Sequence, residues 1–467
     1  MSTENTHFGA YEIGKMLANA GSIYFIGIGG INMSSLAHIS FLRGYRVGGS
    51  DRCVTPITES LARAGITVNY SHDAANIAGY DAVVYTVAIS PDNPEYAEAK
   101  RRGIPCISRA DYLGYVMTGY RRRIGISGMH GKSTCTSMCA LTFLNAGADP
   151  TVLSGAELDA IGGAYRVGGG ENFIFEACEY MDSFLDFNPT VAVILNIEMD
   201  HVDYFHSMEQ IRSSYRRFAD ITGDDGYAVV NADNSDVMKA LGGYRGHLLT
   251  FGIHEGSVFR AVNIKETNGR YSFDIIMYGN KFCHVDLSVP GYHNVYNALA
   301  CAAAAYICGL SPESISQGLH KFCGARRRME PKGKLNGADV YDDYGHHPTE
   351  VATTLSGAKK LSAGKLWCVF QPHTYSRTKA MFGDFVKALS VADAVLTVDI
   401  YAARETDNLG VSSALLSEAI GEKSIYCDSL SKAAAVLTSQ IRADDTVVVM
   451  GAGDVYKIFD ELRLEKE

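Results

Sequence analysis

Eleven cysteines are scattered through 467 residues without one C-x-x-C pair. That absence removes the spacing of a redox or zinc-ribbon motif, and the thiols read as reduced and buried, as in a cytosolic protein. Cys135 and Cys139, one helical turn apart, read as packing partners. A long apolar run is also missing. The longest, ALACAAAAYICGL (298–310), is too short to span a bilayer, and its small residues suit close helix packing, so no membrane partner is expected. MSTENTHFGAYEIG, at the start, has no basic stretch leading into an apolar core. No signal peptide is expected there, and the reading is a soluble, cytoplasmic chain. No domain is basic: the formal net charge is −10, which argues against a nucleic-acid partner. A small anionic substrate stays open, since local Arg, Lys and helix N-termini hold phosphate.

Glycine is plentiful, at 47 residues, and the length suggests about three domains at ~150 residues each. The glycines fall where short apolar runs end and helical patterns begin. In IYFIGIGGINMSSLAHISFLRGY, Ile23–Ile26 reads as a buried strand. Gly27, Gly29 and Gly30 turn the chain, and a helix runs from Asn32 to near Gly44. RVGGSD supplies a second strand with Asp51 beyond it. This βαβ pattern matches dinucleotide-binding folds, but Asn32 stands at the third glycine of G-x-G-x-x-G. That departure favours another nucleotide or a sugar nucleotide over NAD. A strand over 81–87 and a helix in PDNPEYAEAKRRG follow.

GISGMHGKST (125–134) is the second opening. A strict phosphate loop, G-x4-G-K-[ST], needs glycine at 126, where Ile126 stands. The surrounding pattern still supports ATP: strand 123–127, loop 128–131, helix 133–145. Backbone N–H groups and the helix dipole would face phosphate, Lys132 would reach the outer phosphates, and the Ser133 hydroxyl would reach Mg2+. Two strands then end in acids: NFIFEACEYMDSFL with Glu176, Glu179 and Asp182, and VAVILNIEMDHVDYF with Glu198, Asp200, His201 and Asp203. Carboxylate and imidazole at that edge can ligate a Mg2+ that bridges phosphates. Later strands at 366–370, in AVLTVDIYAARE (394–405) and in TVVVMGAGDVYKIF (446–459) indicate a third α/β unit from near 328.

Together FIGIGGINMSSLA, GYRVGGSD, GMHGKST, EACEYMDSFL, NIEMDHVDYF, HNVYNALA, RRRMEPKG, DDYGHHPTE, FQPHTYSRT, DIYAARE and GAGD, in this order, resemble the ATP-dependent Mur ligases of peptidoglycan synthesis. The resemblance implies an α/β protein of three domains: a Rossmann-like UDP-sugar domain (1–121), a central P-loop ATPase-like domain with a mostly parallel sheet (122–327) and a Rossmann-like amino-acid domain (328–467). It implies ATP and Mg2+, with UDP-N-acetylmuramate and L-alanine as substrates of an amide-forming ligase acting as monomer or homodimer. SSYRRF lacks the lysine that several later-acting relatives carbamylate, which favours the alanine-adding branch. Attachment of a preformed L-Ala-D-Glu-diamino-acid tripeptide remains the alternative.

By resemblance, Gly27, Gly29, Gly30 and Asn32 cradle the UDP end, with Asp51, His72, Ser90 and Arg109 in the same pocket. ATP falls to Gly128, Met129, His130, Gly131, Lys132, Ser133 and Thr134, with Asn294 and Asn297 on adenine and Arg327 and Asp343 at the hinge side. The family's loop usually reads G-T-x-G-K-T-T, so Met129 loses a hydroxyl while Ser133 keeps one. Ser133, Glu179 and His201 are the implied Mg2+ ligands; Cys178 replaces a common aspartate. His346, His347, His373 and Arg377 are implied on the alanine side, and Lys132, His201, His347 and Arg377 are the implied catalytic groups.

Overall fold

The computed structural model describes residues 3–201, 204–403 and 405–465. Asp203, one of the acids noted above, lies outside the described residues. Three sheets run along the chain, as the α/β three-domain expectation requires. The first is five-stranded and wholly parallel, in the order Thr67–Asn69, Arg46–Ser50, Ser22–Ile26, Ala82–Tyr85, Cys106–Ser108. Its central strand, SIYFI, is buried throughout, as a strand covered on both faces must be. The neighbouring RVGGS has glycine because nothing larger fits: a Cβ on Gly49 would lie 2.4 Å from the Phe25 carbonyl oxygen.

Ten strands form the central sheet. Its parallel middle contains Tyr227–Asn231, Val191–Ile194, Arg122–Ser127 and Asn172–Glu176. One end is closed by the antiparallel pair Thr151–Leu158 and Gly163–Arg166. The other carries an antiparallel meander, Phe259–Thr267, Arg270–Met277 and Asn280–Pro290, which the sequence reading did not anticipate. Helices Lys132–Asn145 and His293–Ile307 pack together behind the sheet. The third sheet has six strands, parallel except for its edge pair Glu330–Leu335 and Ala338–Asp343. Within AVLTVDIYAARE the strand is Ala394–Thr397, and the described residues that follow it are loop at the sheet's C-terminal edge.

One apolar cluster runs from the first domain into the central one, joining Leu113 and Met117 to Phe173, Phe175 and Phe187. Among the described residues, the third domain's two clusters contain none before Met329. Among the described residues no helix is long and apolar enough to cross a membrane.

Candidate active site

In a parallel sheet, the loops that leave the C-terminal ends of the strands converge at one edge, and ligands bind there. All eight residues assigned to the UDP end follow strands of the first sheet at that edge. Gly27, Gly29, Gly30 and Asn32 follow Ser22–Ile26, and Asp51, His72, Ser90 and Arg109 follow the other four strands. Asp51 Oδ2 accepts the Gly29 N–H at 2.9 Å, fixing the glycine turn. His72 Nδ1 lies 2.8 Å from Glu95 Oε2. Glu95 is fully buried and also accepts from Ser50 Oγ, Tyr24 Oη and Asn76 Nδ2. Glu95 escaped the sequence reading, because inside PEYAEAKRR it looks like one more charge on a solvated helix. Arg109 opens helix Arg109–Met117, and among the described residues it forms no ion pair.

The second cluster lies on the central sheet. Gly131 caps helix Lys132–Asn145 with φ of +84°, and a Cβ there would sit 2.8 Å from Asn297 Oδ1. Glycine is thus required both for the backbone and for the approach of the Asn297 helix. Asn196 clamps the loop: its Oδ1 accepts the His130 N–H at 2.9 Å and its Nδ2 donates to the His130 carbonyl at 3.0 Å. Met129 is turned into the core shared by the first two domains, which leaves its backbone to face the loop's ligand.

Lys132 Nζ donates to the Gly128 carbonyl at 2.6 Å and to Glu179 Oε2 at 3.1 Å. His201 Nε2 lies 3.2 Å from Glu179 Oε1. Burial alone would lower the Lys132 ammonium, but the adjacent Glu179 carboxylate outweighs it and holds the amine above its ordinary value. Burial alone would raise Glu179; Lys132 and His201 outweigh that and keep it ionised. Ser133 Oγ donates to Glu176 Oε2 at 2.8 Å. Beside the phosphate loop there are thus two neighbouring groups, Ser133 with Glu176 and Glu179 with Lys132 and His201. Hydroxyl and carboxylate oxygens are the chemistry Mg2+ takes, although among the described residues Glu176, Glu179 and His201 do not close into a single three-residue cluster.

Beside this loop opens a cavity of about 230 Å³, lined in part by Gly131, Thr134, Asn294, Asn297, Asp343 and Arg328. Asn297 Nδ2 donates to Asn294 Oδ1 at 3.0 Å, and Asn294 Nδ2 to the Pro290 carbonyl at 2.7 Å. Asp343 is buried and accepts the N–H groups of Gly345 and Met329 at 2.8 and 2.9 Å. Arg327, expected among the ATP contacts, is turned away instead. Its Nε faces Asp342 at 3.2 Å and its Nη2 donates to the Gly451 carbonyl at 2.6 Å, both inside the third domain. Arg327 has a left-handed backbone, φ +56°, and its neighbour Arg328 lines the cavity.

The third domain contributes the remaining residues. Helix Pro348–Leu361 is capped by His347, whose Nδ1 accepts the Thr349 N–H at 3.3 Å. With that nitrogen accepting, Nε2 carries the proton and donates to the Met199 carbonyl at 3.3 Å. His130 is half-buried against this helix, with ring nitrogens 3.3 Å from Glu198 and 3.4 Å from Glu350, and its ring lies 4.6 Å from that of His347. Burial disfavours its charge, yet the two carboxylates win and raise the imidazole to about 9. His346 and His373 go the other way: burial pushes each down to about 4. Arg377 is buried, donates through Nε and Nη2 to Asp200 Oδ1 at 3.2 and 3.1 Å, and places Nη1 3.3 Å from His373 Nδ1. Residues of the ATP side and the amino-acid side thus meet across one seam.

A phosphate loop with a metal-type donor set in the middle domain, between two Rossmann-like domains, defines a three-domain ATP-dependent ligase. Family models for the Mur ligase family catalytic domain, the Mur ligase middle domain and the Mur ligase glutamate ligase domain match residues 22–121, 126–305 and 327–453. The chain belongs to the Mur ligase family. It is 44% identical over 443 residues to the UDP-N-acetylmuramate–L-alanine ligase of Clostridium novyi, covering 94% of this chain and 96% of the relative. The enzyme of that name from Caldanaerobacter subterraneus is 42% identical over 449 residues, covering 95% and 98%. The solved UDP-N-acetylmuramate–alanine ligase of Thermotoga maritima superposes with a TM-score of 0.77 at 27% identity, covering 94% and 97%. A murein peptide ligase from Psychrobacter arcticus shares the fold, with a TM-score of 0.69 at 24% identity and coverage of 94% and 98%.

Proposed function

We propose that this chain is an ATP-dependent ligase that joins L-alanine to the lactyl carboxylate of UDP-N-acetylmuramate, giving UDP-N-acetylmuramoyl-L-alanine, ADP and phosphate, in the cytoplasm. The observation that carries the reading is the meeting of Lys132, Glu179 and His201 with the third domain's Arg377 through the Asp200 loop. Phosphoryl transfer and amine attack need their groups on one seam, and that contact provides it.

In this reading the lactyl carboxylate attacks the γ-phosphorus of ATP and ADP leaves. Lys132, at the phosphate loop, offsets charge on the group in transfer. Mg2+ held by Ser133, Glu179 and His201 would neutralise phosphate charge. The neutral amine of L-alanine then attacks the acyl-phosphate carbonyl, the C–O bond to phosphate breaks, and an amide forms. Arg377 receives the alanine carboxylate, with His346 and His373 beside it. Neither histidine stores the amine proton well at neutral pH, given values near 4. His347 is engaged at both nitrogens, so the departing phosphate oxygen is the better acceptor. The first sheet's edge holds the UDP end, and closure of the third domain shields the acyl-phosphate from water.

Phosphate release from ATP and Mg2+ with UDP-N-acetylmuramate tests the reading, comparing L-alanine, glycine, L-serine and the L-Ala-D-Glu-diamino-acid tripeptide. Release that needs both the sugar nucleotide and L-alanine is expected. Release driven by the tripeptide alone would move the chain to the tripeptide-attaching branch.

A further inference from the structure

Asp200 has no part in the chemistry above, yet it occupies the seam. It sits on the loop after Val191–Ile194, directly before His201, and is only 5% exposed. One of its carboxylate oxygens, Oδ1, takes three donors: the His201 backbone N–H at 2.7 Å, Arg377 Nε–H at 3.2 Å and Arg377 Nη2–H at 3.1 Å. The first donor belongs to the central domain and the other two to the third domain, 177 residues away. His201 itself has a left-handed backbone, φ +49°, which a non-glycine residue adopts at a cost and holds only when its surroundings fix it. The Asp200 acceptor is one such restraint.

A guanidinium has five N–H groups in a rigid fork and does not lose its charge in a protein. Asp200 occupies the side edge, made of Nε and Nη2. The end-on edge, made of Nη1 and the second Nη2 hydrogen, takes no carboxylate among the described residues; its neighbour is His373 Nδ1, 3.3 Å from Nη1. A carboxylate fits such an edge with two parallel hydrogen bonds. We propose that Asp200 is the positioning residue for Arg377: it fixes the guanidinium so that the end-on edge receives the amino-acid carboxylate, and its shared oxygen ties that arginine to the backbone of His201. The proposal rests on the reading of Arg377 as the carboxylate-binding residue. It makes amino-acid binding sensitive to a residue that touches neither the amino acid nor ATP.

The test is Asp200→Asn, which keeps the side chain's size and an accepting oxygen but removes its charge. Losing a charge-assisted pair is expected to raise KM for L-alanine about tenfold or more, with KM for ATP and for UDP-N-acetylmuramate changing less than about twofold. Asp200→Glu should recover part of the loss. Equal rises in all three KM values, or a fall in kcat with KM for L-alanine unchanged, would overturn the proposal. A second arm needs no turnover: thermal unfolding of Asp200→Asn, Arg377→Gln and the double variant. Non-additive shifts are expected if the two side chains are paired; additive shifts overturn the pairing. Wild-type enzyme without alanine-dependent turnover, but with non-additive unfolding, would instead overturn the proposed substrate and leave the Asp200–Arg377 pair standing.

Discussion

Lys132 and Glu179 are the pair on which the site's electrostatics turn. Lys132 is mostly buried and Glu179 wholly so, and each holds the other's charge. Lys132→Ala is expected to lower kcat by about 10²–10³-fold, the usual effect of deleting one preorganised charge stabiliser. It also leaves the fully buried Glu179 carboxylate with His201 as its remaining partner, so stability should fall, by up to about 3–5 kcal/mol. The double variant Lys132→Ala/Glu179→Gln should regain most of that stability in urea denaturation without regaining phosphate release. Recovery of both, or of neither, would contradict the account. At this scale the sequence was informative wherever a motif fixed a side chain's role. It was silent on Glu95, Asn196 and Glu350, whose importance comes from partners distant in the chain.

Among the elements, helix His293–Ile307 is tightly constrained. Ala298 through Ala305 are fully buried, so the helix has no polar face along that stretch and its neighbours approach to alanine distance. The apolar run 298–310 announced this helix and its small residues announced the close packing. Ala302→Leu should overpack the contact and cost about 1–3 kcal/mol, read as a shift in the urea midpoint with the slope unchanged. The central meander was legible in principle and missed. Its turns, Asn268–Gly269 and Tyr278–Gly279, have positive φ at both positions, as two-residue hairpin turns require. Asn-Gly is the sequence signal for the first. The strand alternation is blurred by bulges between Val262 and Lys265 and between Ile275 and Ile276.

Over the whole molecule, two kinds of junction differ in strength. The first and central domains share apolar core, whereas the third meets the central domain largely through polar pairs: Asp200 with Arg377, His130 with Glu350, and Thr349 with Glu198. Left-handed residues at Arg327 and Met329 mark the connection. The third domain is therefore the part expected to open and close. His130 gives this a pH dependence. Its folded value, about 9, lies above the ordinary 6.5, so its imidazolium contributes stability that is complete below about pH 6.5 and lost as pH rises through about 9. Small-angle scattering from pH 7 to 10 should show expansion of the wild type near pH 9. His130→Asn should be expanded throughout, with no transition there. A wild-type radius that stays constant over this range would rule this pH dependence out.

The sequence by itself determined the three α/β units, the phosphate loop, the glycine turn and most residues at the strand ends, because each is a local pattern: apolar run, glycine, helix. Tertiary structure decided what those residues do to one another. It set which arginine of the pair at 327–328 reaches the cavity, that Met129 turns into the core, that His130 is charged while His346 and His373 are neutral, and that Asp200 holds Arg377. Those outcomes depend on burial and on partners contributed by other elements, some more than a hundred residues away, and no local pattern encodes either.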